Sequence, residues 1–522
     1  MTLEQLQETT AATTTGMTAS QMIVLGTLIV YLVGMIVIGI ISRRAATKSY
    51  TDMQISGKTM PFHNIFFSFT AATMGTGTFV GAIASGWSEG VSYTWQSFTM
   101  SSILMAFLFV PYLSRMTRIT LAEPIGERFG MSARLAVSGL AFSRTLGSCA
   151  AQVTGMGMVL SVMTGLPVIT GILTAFAVTT FYTMVGQRYA TRRAETIQAV
   201  IMWFCLIFGP FLSLAMVGNG SISGGMTKIF ALPARYLDWS IRPVPVIIGL
   251  AFSQTFGQFL QPHIYSSFYG AKTAKMACFA AYTGGAFMGM NSLGNIITGL
   301  SARAAGLVVP VRDMTSSAWY LQYGPLWFAA IFCTGVFAAG MSTMAAQQMA
   351  MSANILTDFI FGWKRKILNM KQAYRMSMFV IAFFGGIAVW WSIAWQDVLN
   401  IIIYSYEVLV SSLIVAFFGC FFFPRMTNKG VTMGAISGGF VAIFWQFVIK
   451  AYYNTMLPAG FLRDMPSVLP ALSTCIILNL IGTYTSKPDY EKTIEFAKVY
   501  SLNRLQARAE AALAKYKGGA TQ

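Results

Sequence analysis

Two charged residues stand inside stretches apolar enough to cross a membrane. Arg144 lies in GLAFSRTLGSCAAQVTGM and Glu407 in NIIIYSYEVLVSSLIV. A charge at bilayer depth is costly and is expected to have a partner or a task. Three chemistries fit this pair. Arg144 can bind a carboxylate on a solute through its planar guanidinium fork. Arg144 and Glu407 can pair as a gate or strut. Glu407 can hold a cationic group of a solute, or a proton. No phosphate-cradling loop, no Ser/His/Asp arrangement and no metal-ligand cluster accompanies them, so the chemistry in prospect is binding rather than bond-making.

The elements that carry these charges are membrane spans. Of 522 residues, 55% are hydrophobic and only 10% charged, and the mean hydropathy is +0.61, whereas a soluble domain carries about 25% charged residues. A hydropathy window gives about thirteen spans, centred on 21–41, 62–87, 94–114, 133–163, 166–186, 194–218, 243–268, 276–300, 325–352, 374–394, 398–424, 432–450 and 467–486. The net charge of +18 is a matter of topology, not of nucleic acid. With the N-terminus outside, 27 of the 35 Lys and Arg face the cytoplasm, from Arg43, Arg44, Lys48 and Lys58 to seven in the tail. Seven face outward: Lys228, Arg235, Arg242, Arg303, Arg312, Lys450 and Arg463. Arg144 is the remaining one. The positive-inside rule therefore places the N-terminus outside and the C-terminus in the cytoplasm. Residues 1–20 carry Glu4 and Glu8 but no Lys or Arg, which argues against a cleavable leader. The six cysteines all sit in apolar stretches and read as small core hydrophobes.

Two spans are interrupted. In Ile65 to Gly90 the middle, Ala71-Ala72-Thr73-Met74-Gly75-Thr76-Gly77-Thr78, is small, hydroxylated and glycine-rich. A broken helix at bilayer depth is tolerated only where it is buried in protein or lines a cavity. The alternative is a small-residue packing face that lets helices approach. Val244 to Gly270 is interrupted by Gly257 and Pro262, among Gln254, Gln258, Gln261 and His263. These are the second and seventh spans. Five spans separate them, and five is odd, so spans two to six and seven to eleven make two repeats of opposite topology. Paired interruptions in such repeats point to the site of a transporter.

Six segments, in order along residues 20 to 450, now resemble the sodium:solute symporter family, which includes proline, pantothenate and glucose symporters. They are SGKTMPF, TLAEPIGERFG, FYTMVGQRYATRRAETIQ, FGQFLQPHIYSSF, AAGMSTMAAQQMAMSANILTDFI and FFPRMTNKGVTMGAISGG. The resemblance implies an all-α integral membrane protein with a leucine-transporter-like core of two inverted five-helix repeats. It divides the chain into an extracytoplasmic segment 1–20, a peripheral helix and loop 21–61, a first repeat 62–218, an extracytoplasmic loop 219–242, a second repeat 243–424, peripheral helices 425–486 and a cytoplasmic tail 487–522.

The function it implies is sodium-coupled symport of a small organic solute, a carboxylate or amino acid, across the plasma membrane (a bacterial inner membrane) by alternating access. The alternatives are a proton-coupled or uncoupled permease using Glu407 and His263, a transporter-like solute sensor, or an ion channel. The chain is not expected to be an enzyme. Its expected partners are the solute and the bilayer.

Carried over residue by residue, the resemblance assigns Na+ to the carbonyls of Ala71, Met74 and Ala339 and the hydroxyls of Ser342 and Thr343. Oxygen ligands suit this hard cation. Hydroxyls that merely bond back to their own helix are the plain alternative. The solute pocket between the two breaks is expected to draw on Thr73, Thr76, Thr78, Gln258, Gln261 and His263, with Arg144 and Glu407 nearby. For the glutamines, interhelical hydrogen bonding is the competing use. One departure stands out: proline-transporting members carry an aspartate where this chain has Thr73 and a serine where it has Gly75. The charge bias makes a direct prediction. A cysteine at position 219 is labelled by an impermeant thiol reagent from outside and one at 362 only from inside; the reverse pattern rejects the span count.

Overall fold

A computed structural model describes residues 17–519 apart from 47, 56–59, 93–98, 115, 117, 242, 395–397 and 451–464. Most of the expected segment 1–20, much of the SGKTMPF run, the start of the third span, and Arg115, Arg242 and Arg463 lie outside the described residues. The fold is helical throughout, and among the described residues no strand forms. In its described residues each of the thirteen apolar stretches falls on a helix or a helix pair. Seven described helices are long and apolar enough to cross a membrane singly. Phe62–Thr73 and Gly77–Ser92, bent by 58°, make an eighth as a pair.

Burial separates the core from the rim. The fourth span, Met131–Thr164, and the ninth, Leu326–Trp363, are 89 and 94% buried over their apolar windows. The first, Ala19–Arg44, and the twelfth, Asn428–Ile449, are 33 and 28% buried and present their apolar faces outward. Sequence accounts for the contrast. The ninth span runs Gly335, Ala338, Ala339, Gly340, Ser342, Ala345 and Ala346, all buried, and small residues let neighbouring backbones close in from every side. The eighth span, Ala274–Ala304, meets the upper part of the second span at a glycine contact. A Cβ on Gly299 would lie 2.5 Å from the Trp87 nitrogen, so no larger residue fits. Five of the six cysteines are buried and all are free.

The two interruptions take different forms. In the second span the helix stops at Thr73. Met74 leaves helical geometry with ψ near 75°, and the chain resumes as a wider π-type turn at Gly77–Gly81 before Ala82–Glu89. In the seventh, Val244–Phe259 ends shortly before Gln261, whose extended backbone leads into Pro262–Tyr269 with Pro262 in the first turn. A proline there lacks only an N–H that has no helical partner anyway. Gly257 is helical and does not make the break; a Cβ on it would press on Tyr406 at 2.7 Å.

The halves Phe62–Thr73 and Pro262–Tyr269 lie side by side. Phe69 packs on Phe268 with ring centroids 5.1 Å apart. Backbone bonds join their ends: Met60 N donates to the Gly270 carbonyl (3.0 Å) and Lys272 N to the Met60 carbonyl (3.2 Å). A charged knot sits behind them. The fifth and sixth spans form one long helical run, Val168–Val217, kinked at Gln187 where φ is +48°. Just past the kink Arg188 pairs with Glu195 at 3.1 Å, and both side chains are wholly buried. Ser68 of the second span donates to Glu195 and shares a 2.8 Å bond with Ser267 of the seventh. Arg192 donates to the Ser266 carbonyl at 2.8 Å.

The tail folds back on the same face as two helices, Tyr490–Val499 and Asn503–Gly519. Tyr500 donates to Glu127, which pairs with Arg118 at 2.7 Å. Partial burial, with the Glu127 carboxylate beside it, pushes the Tyr500 phenol up to about 12.

The buried pair yields a stability prediction. Glu195→Ala leaves the Arg188 guanidinium buried and unpaired and costs about 3–5 kcal/mol. Arg188→Met/Glu195→Leu, which removes both charges at similar volume, recovers more than half of that. Thermal unfolding of the three purified proteins measures it; equal losses in the single and double variants would show that the pair itself is not what matters.

Candidate functional site

Two clusters of polar groups meet the interruptions. The first joins the second and ninth spans. Ser342 Oγ donates to the Ala71 carbonyl and to the Ala339 carbonyl, each at 2.9 Å. Thr343 Oγ1 reaches the Ala71 carbonyl at 3.4 Å and the Ala72 carbonyl at 3.3 Å. Four oxygens from two helices thus converge: Ala71 O, Ala339 O, Ser342 Oγ and Thr343 Oγ1. All four residues are buried, Thr343 the most accessible at 4%. Met74, three residues beyond Ala71 at the end of the helix, is buried as well. The donor set is neutral oxygen throughout, which suits a hard monovalent cation. When a cation binds, each hydroxyl can turn its proton away and present a lone pair, because a hydroxyl is both donor and acceptor. The Ser342 bond to Ala339 is also the back-bond that any helical serine makes; its bond across to Ala71 is not.

A side chain that sequence reasoning missed holds the break open. Gln152 of the fourth span accepts from Thr76 N at 2.8 Å and from Thr76 Oγ1 at 3.0 Å. It therefore pairs a backbone N–H that the interruption frees. A Cβ on Gly75 would run into the Gln152 amide, whose carbon lies 3.0 Å away. Gln152 occupies the space that a serine at position 75 would need. Thr73, in place of the aspartate of proline-transporting members, bonds back to the Phe69 carbonyl at 2.6 Å. Thr78 is half-buried.

The second cluster gathers at the seventh-span break. Arg144 Nη2 donates to Gln261 Oε1 at 2.9 Å, and its guanidinium lies over the Tyr406 ring, 4.9 Å from the centroid. Gln261 Nε2 donates to Gln258 Oε1 and to Tyr406 Oη at 3.2 Å. Tyr406 Oη donates to Gln258 Oε1 at 2.7 Å. Several polar atoms are left over. Arg144 Nε and Nη1, Gln258 Nε2 and both ring nitrogens of His263 are buried without a hydrogen-bond partner among the described residues. Tyr406 was not singled out from the sequence; an aromatic hydroxyl one residue from Glu407 was the available signal.

Glu407 is not part of this cluster. It is 2% exposed and accepts from Ser467 Oγ, on the helix end that leads into the thirteenth span, Val468–Tyr484. Arg144 meets Tyr406, the adjacent residue of the eleventh span, so the two charges use different sides of that helix and do not pair in this structure. Among the described residues no group of three or more His, Cys, Asp or Glu is placed to hold a metal.

These are the breaks and the polar centre of a helical transporter core, and comparison with known proteins is specific. Residues 53–442 match the sodium:solute symporter family, and the chain belongs to it; sodium is the coupling ion of the symport of a small solute. The sodium/proline symporter of Haemophilus influenzae is 25% identical over 459 residues, covering 81% of this chain and 88% of the relative. That of Staphylococcus aureus is 23% identical over 499 residues, covering 91 and 95%. Among solved structures, a substrate-bound, outward-open Na+-coupled sialic acid symporter superposes with a TM-score of 0.74 at 16% identity, covering 89% of this chain and 98% of that one. A nucleobase-cation-symport-1 family transporter gives 0.54 at 14%, covering 89 and 99%. The fold is theirs.

The first cluster predicts its own test. Thr343→Ala removes one oxygen and leaves a protein that still folds. At about 1 kcal/mol for a lost hydroxyl contact, the sodium concentration that gives half-maximal uptake rises roughly five- to tenfold. Unchanged sodium dependence would remove Thr343 from the site.

Proposed function

We propose that this protein takes up a small solute bearing a carboxylate, an amino acid or other organic acid, together with sodium, by alternating access. The observation that carries the reading is Arg144. Its guanidinium is buried at the seventh-span break with two donors unpartnered and, among the described residues, no carboxylate paired with it. A buried cation in that condition is costly, and an anionic group presented to its free edge would offset that cost. Gln258 Nε2 and the one ring N–H of a neutral His263 add donors for the same group.

The sodium ion is held, in this reading, by the Ala71, Met74 and Ala339 carbonyls and the Ser342 and Thr343 hydroxyls. The solute lies between the breaks, against Thr73, Thr76 and Thr78 on one side and Gln258, Gln261 and His263 on the other, with Arg144 at its carboxylate. Thr76 is engaged by Gln152 in the structure and would have to release it to reach the solute. Glu407, bonded to Ser467, belongs to the packing of the outer helices. The repeats run over 62–218 and 243–424, with the N-terminus outside and the tail in the cytoplasm of a bacterial cell.

The sodium/proline relatives make proline the first solute to try. Thr73 in place of the aspartate leaves that position without a charge, so an acid lacking an ammonium group stands beside it. Purified protein in liposomes is to be tested with labelled proline and labelled organic acids under an inward sodium gradient. Uptake that continues when choline replaces sodium would overturn the coupling. Arg144→Lys is expected to fold, to keep its sodium dependence of thermal stability, and to lose at least about tenfold in solute affinity, because lysine cannot supply the fork. Full uptake by Arg144→Gln would turn the solute assignment to a neutral molecule such as a sugar.

A further inference from the structure

A basic cavity lies remote from both clusters. It has a volume of about 490 Å³ and lies among Lys48, Tyr50, Phe361, Arg365, Lys366 and Leu368. Its place follows from the chain. Lys48 and Tyr50 come just after the first span ends, and Arg365 to Leu368 fill the short link between the ninth span and the tenth, Met370–Ala394. Three spans therefore end around one opening, at the boundary of the bilayer.

The lining has two characters. Its wall is apolar, made by Tyr50, Phe361 and Leu368, with Tyr50 and Phe361 in edge contact, ring centroids 5.1 Å apart. Its mouth is cationic. Lys48, Arg365 and Lys366 are exposed and none has a carboxylate partner among the described residues. Arg365 takes a left-handed backbone, φ +50°, at the point where the ninth span ends and the chain turns. Beside the mouth Ile367 is 94% and Trp363 56% exposed. A large apolar residue so exposed at this level is suited to acyl chains, and Trp is common at the membrane interface.

We propose that this cavity binds an anionic phospholipid, its phosphate against Lys48, Arg365 and Lys366 and the first part of an acyl chain against Tyr50, Phe361 and Leu368. A soluble anion would use the cations and leave the apolar wall wet; a zwitterionic lipid would fill the wall but set its own quaternary ammonium beside the three cations. Basic pockets between spans at the membrane surface suit phosphate-bearing head groups.

The test is native mass spectrometry of the full-length protein in detergent with equal amounts of dioleoyl phosphatidylglycerol and dioleoyl phosphatidylcholine. Each cation near a lipid phosphate is worth about a fivefold preference. The wild type is expected to retain phosphatidylglycerol at least about tenfold over phosphatidylcholine, which three such cations readily supply. Lys48→Gln/Arg365→Gln/Lys366→Gln should bring that ratio below about threefold, the preference of less than one cation. Leu368→Trp, which fills the cavity and keeps the charges, should lower total lipid retention. Lys487→Gln/Lys498→Gln/Lys515→Gln removes the same charge from exposed tail positions and should keep the wild-type ratio. Equal retention of both lipids by the wild type overturns the proposal. So does equal loss of preference in the tail variant, which would mean that net charge alone selects the lipid. Displacement of phosphatidylglycerol by millimolar inorganic phosphate would show a soluble-anion site and overturn it as well.

Discussion

An amide group left unpaired in hydrocarbon costs several kcal/mol, and the second span breaks its helix in the middle of the molecule. Most of the architecture answers that one constraint. Gln152 takes up Thr76 N. The Ala71 and Ala72 carbonyls receive hydroxyls from Ser342 and Thr343. The fourth and ninth spans that supply these groups must be close on all sides, so they are the most buried of the long spans, rich in Gly, Ala, Ser and Thr. The oxygens that mend the break are also the oxygens able to hold sodium. In the proposed reading, stability and ion binding draw on the same atoms.

The second break follows a different logic. The chain supplies a proline to open its lower half and a cluster of amides around Gln261. The arginine is held over an aromatic ring, a favourable face for a cation, and by one amide oxygen, neither of which cancels its charge. The first cluster is complete without a ligand and the second is not. A cation can enter the first by rotating hydroxyl groups, whereas the second still has donors to satisfy.

Much of this was legible in the sequence. The run Ala71 to Thr78 announced the first break because glycine and short polar side chains weaken a helix in the middle of an apolar stretch. The two-fold placement of breaks set the helical order. In the seventh span Pro262 marks the break, which falls at Gln261, whereas Gly257 also reads as a breaker but serves to admit the Tyr406 ring. The partnership of Arg144 was beyond reach. Tyr406 and Glu407 are neighbours in sequence, yet successive residues of a helix point about 100° apart, and only the packing of the eleventh span decides which one meets Arg144. Gln152 was missed for a similar reason, since a lone amide in a span gives no sign of the helix it faces.

The backbone pairing of Met60 with Gly270 and Lys272 has a mechanical meaning. It fastens the free ends of the two broken helices to each other as adjacent threads of one fabric, with Ser68 and Ser267 stitched across higher up. Because the fastening is made of peptide groups, at positions 60 and 272 proline, which lacks the N–H, is the substitution that removes a donor. The half-helices Phe62–Thr73 and Pro262–Tyr269 are thereby coupled, and a displacement of one loads the other through these bonds.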